Sequence, residues 1–218
     1  MSMARSKLSS NAGKFNMLRR DSGFTLIELL VTIVVLGIAL SVAIPSFNDL
    51  IRNNKSLTLG GDFVSALNFA RTEAIKRATR VSICPSTDKT SCATEDDWAK
   101  GWIVFIDSAT SDSATAPVIA SSAGTILRYW SVSEPKAQLG FAAAGTIPAA
   151  KVKSGQTLVI TATTPVNFVR FTSLGTLAKV SGNSNITFKA HVTGCTAFNT
   201  NIVSIGIAGL ISTDYISC

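Results

Sequence analysis

Gly23-Phe-Thr-Leu-Ile-Glu-Leu-Leu-Val-Thr-Ile-Val-Val-Leu-Gly-Ile-Ala-Leu-Ser-Val-Ala-Ile-Pro45 is the stretch that decides how the rest of the 218-residue chain is read. From Phe24 to Ile44 it holds 21 residues and a single charge. As a helix rising about 1.5 Å per residue it spans roughly 30 Å, the thickness of one bilayer hydrocarbon core. The segment is therefore expected to cross a membrane. Its one acid, Glu28, is costly there: insertion scales put an unpaired charge at mid-bilayer at roughly 2.5–3.5 kcal/mol, and less near a helix end. An acid that neither a core helix nor a plain anchor needs marks a functional position.

Gly23-Phe24-Thr25-Leu26-Ile27-Glu28, behind a short basic leader and followed by an apolar helix up to Pro45, resembles the class III signal of type IV pilins and type II secretion pseudopilins. The resemblance implies cleavage by a prepilin peptidase between Gly23 and Phe24, N-methylation of Phe24, and a role for Glu28 in filament assembly. Physical chemistry is compatible with that role. In a filament these helices bury one another, so the carboxylate of one subunit can be compensated by the α-amino group of its neighbour. A conventional secretory signal, with Ser41-Val42-Ala43 as its cleavage site, is the competing expectation. Ordinary apolar signal regions run about 7–15 residues, shorter than this one, and seldom carry a glutamate.

Before this segment, Arg5, Lys7, Lys14, Arg19 and Arg20 stand against Asp21 alone, so +4 of the chain's formal +7 lies in residues 1–23. Basic residues ahead of a membrane helix hold that end in the cytoplasm. With the resemblance, this implies a bacterial inner-membrane protein with a cytoplasmic N-terminus and a periplasmic head, which then joins a pilus or pseudopilus. The sequence pI near 9.5 falls largely on the leader and is a weak argument for nucleic acid. The expected organisation is a leader over residues 1–23, a membrane part over 24–45, a periplasmic half-helix over 46–80 and a β-rich head over 81–218.

Pro45 lacks an amide donor and is expected to kink or break the helix where it leaves the membrane. Beyond it, Phe63, Leu67, Ala70 and Ala74 recur at four, three and four residues and form one apolar stripe. Gly60-Gly61, at about 1 kcal/mol each relative to alanine, are expected to bend or interrupt the helix.

After Arg80 short β-branched and aromatic runs alternate with Gly, Pro, Ser and Asn. Strands are expected at residues 80–84, 102–107, 125–131, 157–163, 167–172, 186–192 and 202–207, with surface loops at 108–124 and 142–156. Ser65-Ala-Leu-Asn-Phe-Ala-Arg-Thr-Glu-Ala-Ile-Lys-Arg77, Arg80-Val-Ser-Ile-Cys-Pro-Ser86 and Trp98-Ala-Lys-Gly-Trp-Ile-Val-Phe-Ile-Asp107 resemble the GspH/FimT family of minor pilins and pseudopilins. That resemblance implies an α+β, type IV pilin-like fold: a long N-terminal helix, transmembrane and then amphipathic, packed on an antiparallel β-rich C-terminal head. It also implies a non-catalytic subunit that helps initiate or cap a type IV pilus or type II secretion pseudopilus. Its partners would be the prepilin peptidase, the major pilin, other minor pilins or pseudopilins, and the inner membrane.

Four cysteines, Cys84, Cys92, Cys195 and Cys218, are an even set for an oxidising compartment. Three pairings are possible, and the two local ones, Cys84 with Cys92 and Cys195 with Cys218, are expected. Their spacing is not that of a zinc site and His191 is the only histidine, so neither a metal nor another cofactor is expected. No nucleophile elbow, phosphate-binding loop or acid–base pair is visible, so no catalytic residue is assigned. Trp98 and Trp102 are read as core rather than as a ligand platform, and His191 as a half-exposed strand residue. A second functional class is the DNA-binding minor pilin of a competence, or DNA-uptake, pilus. Some relatives of that kind carry Gly-Arg-x-Arg near the terminal cysteine. Here the matching place reads Gly209-Leu210-Ile211-Ser212, and no Lys or Arg occurs from Cys195 to Cys218. Phosphate contacts would have to come from Lys179, Lys189 or Arg170, so nucleic acid is not expected as a partner.

Overall fold

The computed structural model describes residues 23–93, 98–161, 167–180 and 185–218. The expected leader, apart from Gly23, lies outside the described residues. Two compact units are formed, Met1–Ala43 and Ile44–Cys218. What is described of the first is the apolar part of helix α1, Leu26–Arg77, and it is exposed throughout.

In the second unit the remainder of α1 is amphipathic. Leu59, Phe63, Ala66, Leu67, Ala70 and Ala74 are buried, the expected stripe extended by a turn at its start. The helix does not break at Gly60-Gly61. Gly60 is there for close approach: a Cβ would overlap the side chain of Asn201, whereas one on Gly61 would meet nothing. Glycine's propensity cost of about 1 kcal/mol is thus accepted at Gly60 to let a strand side chain against the helix backbone.

Ten strands follow among the described residues: β1 (Val81–Pro85), β2 (Gly101–Ile106), β3 (Ile126–Ser131), β4 (Ala137–Phe141), β5 (Gly145–Ile147), β6 (Leu158–Ile160), β7 (Val169–Phe171), β8 (Asn185–Val192), β9 (Thr200–Gly206) and β10 (Ile211–Ile216). They make one sheet in the order β3-β2-β1-β7, a second in the order β10-β9-β8-β4, and the pair β5-β6. The pairings are antiparallel. The fold is α+β, one long N-terminal helix with an antiparallel β head.

Phe63 joins the helix to both four-stranded sheets. Its ring meets Trp98 at 5.4 Å, Trp102 at 5.3 Å and Phe188 at 4.8 Å, each edge to face. Both tryptophans are buried, in agreement with the expectation of core packing. Edge-to-face pairs of this kind add about 0.5–1.5 kcal/mol each beyond burial. A polar seam continues the contact toward the start of the unit. Ser56 Oγ donates to the Asn199 carbonyl and accepts from Val192 N at 3.2 Å. Asn201 Nδ2 donates to the Ser56 carbonyl at 2.9 Å, and Asn53 Oδ1 accepts from Thr196 N at 2.8 Å.

Three strands depart from the sequence expectation. β5 and a short 3-10 turn, Ala149–Lys151, fall inside the stretch expected as a loop at 142–156. β4 and β10 were not expected at all. β4 does alternate Ala137, Leu139 and Phe141, but Gly140 and the lack of β-branched residues hide it. β10 is a sheet edge, and Asp214 in its middle is the kind of charge that edge strands tolerate.

Candidate functional site

Gly23, Phe24 and Thr25 precede the helix and are exposed, so the Gly23–Phe24 peptide bond lies in accessible, non-helical chain. Thr25 caps α1. Its Oγ1 accepts from Glu28 N at 3.2 Å, and its carbonyl accepts from Leu29 N at 3.2 Å. Thr25-x-x-Glu28 has the spacing of a capping box, a signal present in the sequence itself. Glu28 stands in the first turn, where the helix dipole favours an acid. Against the expectation that neither a core helix nor a plain anchor needs this acid, Glu28 serves the helix start, and magnitudes decide how much. The dipole contributes about 0.3–1 kcal/mol, against roughly 2.5–3.5 kcal/mol for a charge at mid-bilayer. Local capping lowers the cost of Glu28 without removing it.

The other polar side chains of the apolar stretch are satisfied within the helix. Thr32 Oγ1 donates to the Leu29 carbonyl and Ser41 Oγ to the Ile38 carbonyl, both at 2.7 Å. All seventeen large apolar residues from Phe24 to Ile51 are exposed, from Phe24 at 82% to Ile51 at 38%. This is the largest exposed apolar surface among the described residues, and such a surface needs a lipid or protein covering. The helix runs on through Pro45 without interruption.

In the second unit the cysteines are paired Cys84–Cys92 and Cys195–Cys218, with Cα atoms 5.5 Å and 5.7 Å apart. The first closes a short loop in which Asp88 accepts from Thr90 N at 2.9 Å, Ser91 N at 2.8 Å and Ser91 Oγ at 2.6 Å. These donors, the Ser91 hydroxyl foremost, hold its carboxyl well below the usual carboxylate range. The second ties the end of the chain to the β8–β9 connection. No group of three or more His, Cys, Asp or Glu with metal-holding geometry occurs among the described residues. His191 is half-buried on β8, and burial followed by the charge of Lys189 holds its imidazole below the ordinary histidine value.

Of the three cations considered for phosphate, Arg170 is excluded by its burial. It is fully covered, its Nε donates to Asp107 Oδ2 at 2.7 Å, and its Nη atoms donate to the carbonyls of Asp112 (3.0 Å), Ala114 (2.7 Å) and Ala116 (3.0 Å). Asp107 completes the cluster by accepting from Ser82 Oγ at 2.6 Å, Ala109 N at 3.0 Å and Val118 N at 2.9 Å. The cluster fixes the Ser/Ala-rich segment 108–118 to the sheet. Sequence reading missed it because a buried charge is recognised only by its distant partner.

Family models match two parts of this chain, and two solved structures are similar to it. The family model described as type II transport protein GspH matches residues 60–205, and the prokaryotic N-terminal methylation motif matches residues 18–44. Among solved structures the chain is similar to the type IV minor pilin FimU of Pseudomonas aeruginosa in two crystal forms. In one the identity is 24% over 73% of this chain and 87% of that one, with a TM-score of 0.44. In the other it is 23% over 72% and 90%, with a TM-score of 0.42.

Proposed function

Because the chain belongs to the type II transport protein GspH family, whose model spans most of its length, we propose that it works as a minor type IV pilin or pseudopilin. In this proposal prepilin peptidase cuts after Gly23 and Phe24 is N-methylated. The helix then anchors the subunit in the bacterial inner membrane, N-terminus cytoplasmic and head periplasmic. The subunit is non-catalytic and helps initiate or cap a type IV pilus or a type II secretion pseudopilus alongside the major and other minor subunits. The observation that carries the proposal is the methylation motif on the exposed apolar first part of a continuous helix, with one acid in its first turn. Lipid covers that surface before assembly, and neighbouring helices cover it afterwards. The second covering can bring the α-amino group of a neighbouring subunit to Glu28.

The test is Glu28→Ala in the full-length chain. Removing a costly charge leaves membrane insertion at the wild-type level or above it, while the amount recovered in sheared filament fractions falls at least tenfold. Recovery at the wild-type level would reject pairing of Glu28 during assembly.

A further inference from the structure

Two tight turns meet at the C-terminal end of α1. The turn after β7 carries Leu174-Gly175, and the turn between β9 and β10 carries Gly209-Leu210. Their glycines touch: a Cβ on Gly209 would overlap the carbonyl of Gly175, and one on Gly175 would come 2.5 Å from Ile75 Cδ1. Arg71 locks the pair, its Nε donating to the Gly175 carbonyl at 3.0 Å and its Nη2 reaching the Ala208 carbonyl at 3.5 Å. Thr172 and Thr176 close the first turn through their hydroxyls at 2.7 Å. On this rigid support Leu174 is 80% exposed, Leu210 65%, Ile75 51% and Ile207 46%. Beside these knobs opens a cavity of about 570 Å³, lined in part by Thr172, Thr176, Leu177 and Ile207.

From these observations we infer that the paired turns are a docking surface for the head of another pilin-type subunit, one that presents an apolar socket with an acidic rim. The inference rests on the pilin-type proposal above and adds a partner surface to it. Exposed leucines on turns already fixed by glycine contacts and Arg71 lose little conformational entropy on binding. A knob beside a hole suits a shaped protein surface, whereas acyl chains need no cavity. Charge selects the occupant. Arg71 at the turns, Lys179 and Asp112 at the cavity, and Arg80 paired to Asp112 leave this face with three cations against one acid, a net +2. The same face of a second copy would bring like charges together and is disfavoured, while an acidic rim is attracted.

The experiment uses the tagged full-length chain in a bacterium with the cognate filament system, extracted in mild detergent. In Leu174→Glu/Leu210→Glu, processing and accumulation stay at the wild-type level. Co-purified chains that carry the same N-terminal methylation motif, identified by mass spectrometry, fall at least tenfold. Lys179→Glu lowers them severalfold and Lys179→Arg does not. Val159→Glu, at an exposed apolar position on β6, changes nothing. A photo-crosslinker in place of Leu174 gives an independent readout if the double variant fails to accumulate, and its adduct is to be a pilin-type subunit. Unchanged co-purification in the double variant, an equal loss in Val159→Glu, or adducts to phospholipid alone would overturn the inference. If Glu28→Ala abolishes filament incorporation while these turn variants behave as wild type, only the docking surface falls. If Glu28→Ala is itself without effect, the assembly proposal falls.

Discussion

Arg170 and His191 show how single residues in the head set its stability. Arg170 and Asp107 are both fully buried, and nearly every polar atom they bring is hydrogen-bonded. Removing one partner of such a pair leaves a buried charge and costs about 3–5 kcal/mol, whereas replacing both with apolar groups is often neutral. Arg170→Met is therefore expected to destabilise the chain by that amount in denaturant titration, with proteolytic nicking appearing in 108–118. Arg170→Met/Asp107→Leu removes the unpaired charge but strips the carbonyls of Asp112, Ala114 and Ala116 and the amides of Ala109 and Val118 of these partners, so it is expected to stay well below wild type. His191 acts through pH. Its imidazole is held below its ordinary value by burial, and its Nδ1 is buried without a hydrogen-bond partner among the described residues. The unfolded chain therefore takes up the proton first as pH falls, so stability is greatest above the ordinary histidine value and declines below it. Glu73 and Glu134, both held low chiefly by hydrogen bonds from Arg77 and Lys55, lose their contribution only at more acid pH. Thermal unfolding between pH 7.5 and 5.5 is to show a falling midpoint that His191→Gln flattens. An unchanged slope in that variant would assign the effect to other groups.

At the scale of the element, adjacent glycines in α1 have opposite reasons to be there. Gly61→Ala gains helix propensity in open space and is expected to stabilise by up to about 1 kcal/mol. Gly60→Ala drives a methyl into Asn201 and is expected to cost about 1–3 kcal/mol net, as overpacking does. Two substitutions of one chemistry, measured by equilibrium unfolding, thus separate close approach from simple flexibility. Equal effects at the two positions would contradict the contact. From sequence the two glycines looked alike, because local propensity cannot show which side of a helix a strand will meet. The apolar stripe from Phe63 to Ala74 was legible for the converse reason: period 3.6 records burial along one face. Strands β8 and β9 were legible through β-branched alternation, while β10 exists as the edge partner of β9 in a hairpin and β4 draws its identity from a neighbour far along the chain. β4 pairs with β8, its register matching Leu139 with Ala190, and no local pattern encodes that distance.

For the whole molecule, the decisive information is concentrated at one end. In the proposed function, residues 23–28 and the apolar run behind them carry cleavage, anchoring and assembly through a short motif, matched over residues 18–44, whose reading does not depend on the fold of the head. The head was legible only as a class, α+β with two local disulfides, because its sheet order and its buried Arg170 cluster depend on tertiary neighbours. Its surface is where the inferred docking site belongs, at the exposed turns of Leu174 and Leu210. All of this presupposes that the chain is processed as a pilin-type subunit, and the junction itself can be read. The chain is to be produced with a prepilin peptidase, purified from membranes, and analysed by intact mass and N-terminal sequencing. The expected product begins at Phe24 and carries one added methyl group on its α-amino nitrogen. A product beginning at Ile44, after Ser41-Val42-Ala43, would mean an ordinary secretory signal and would contradict the account.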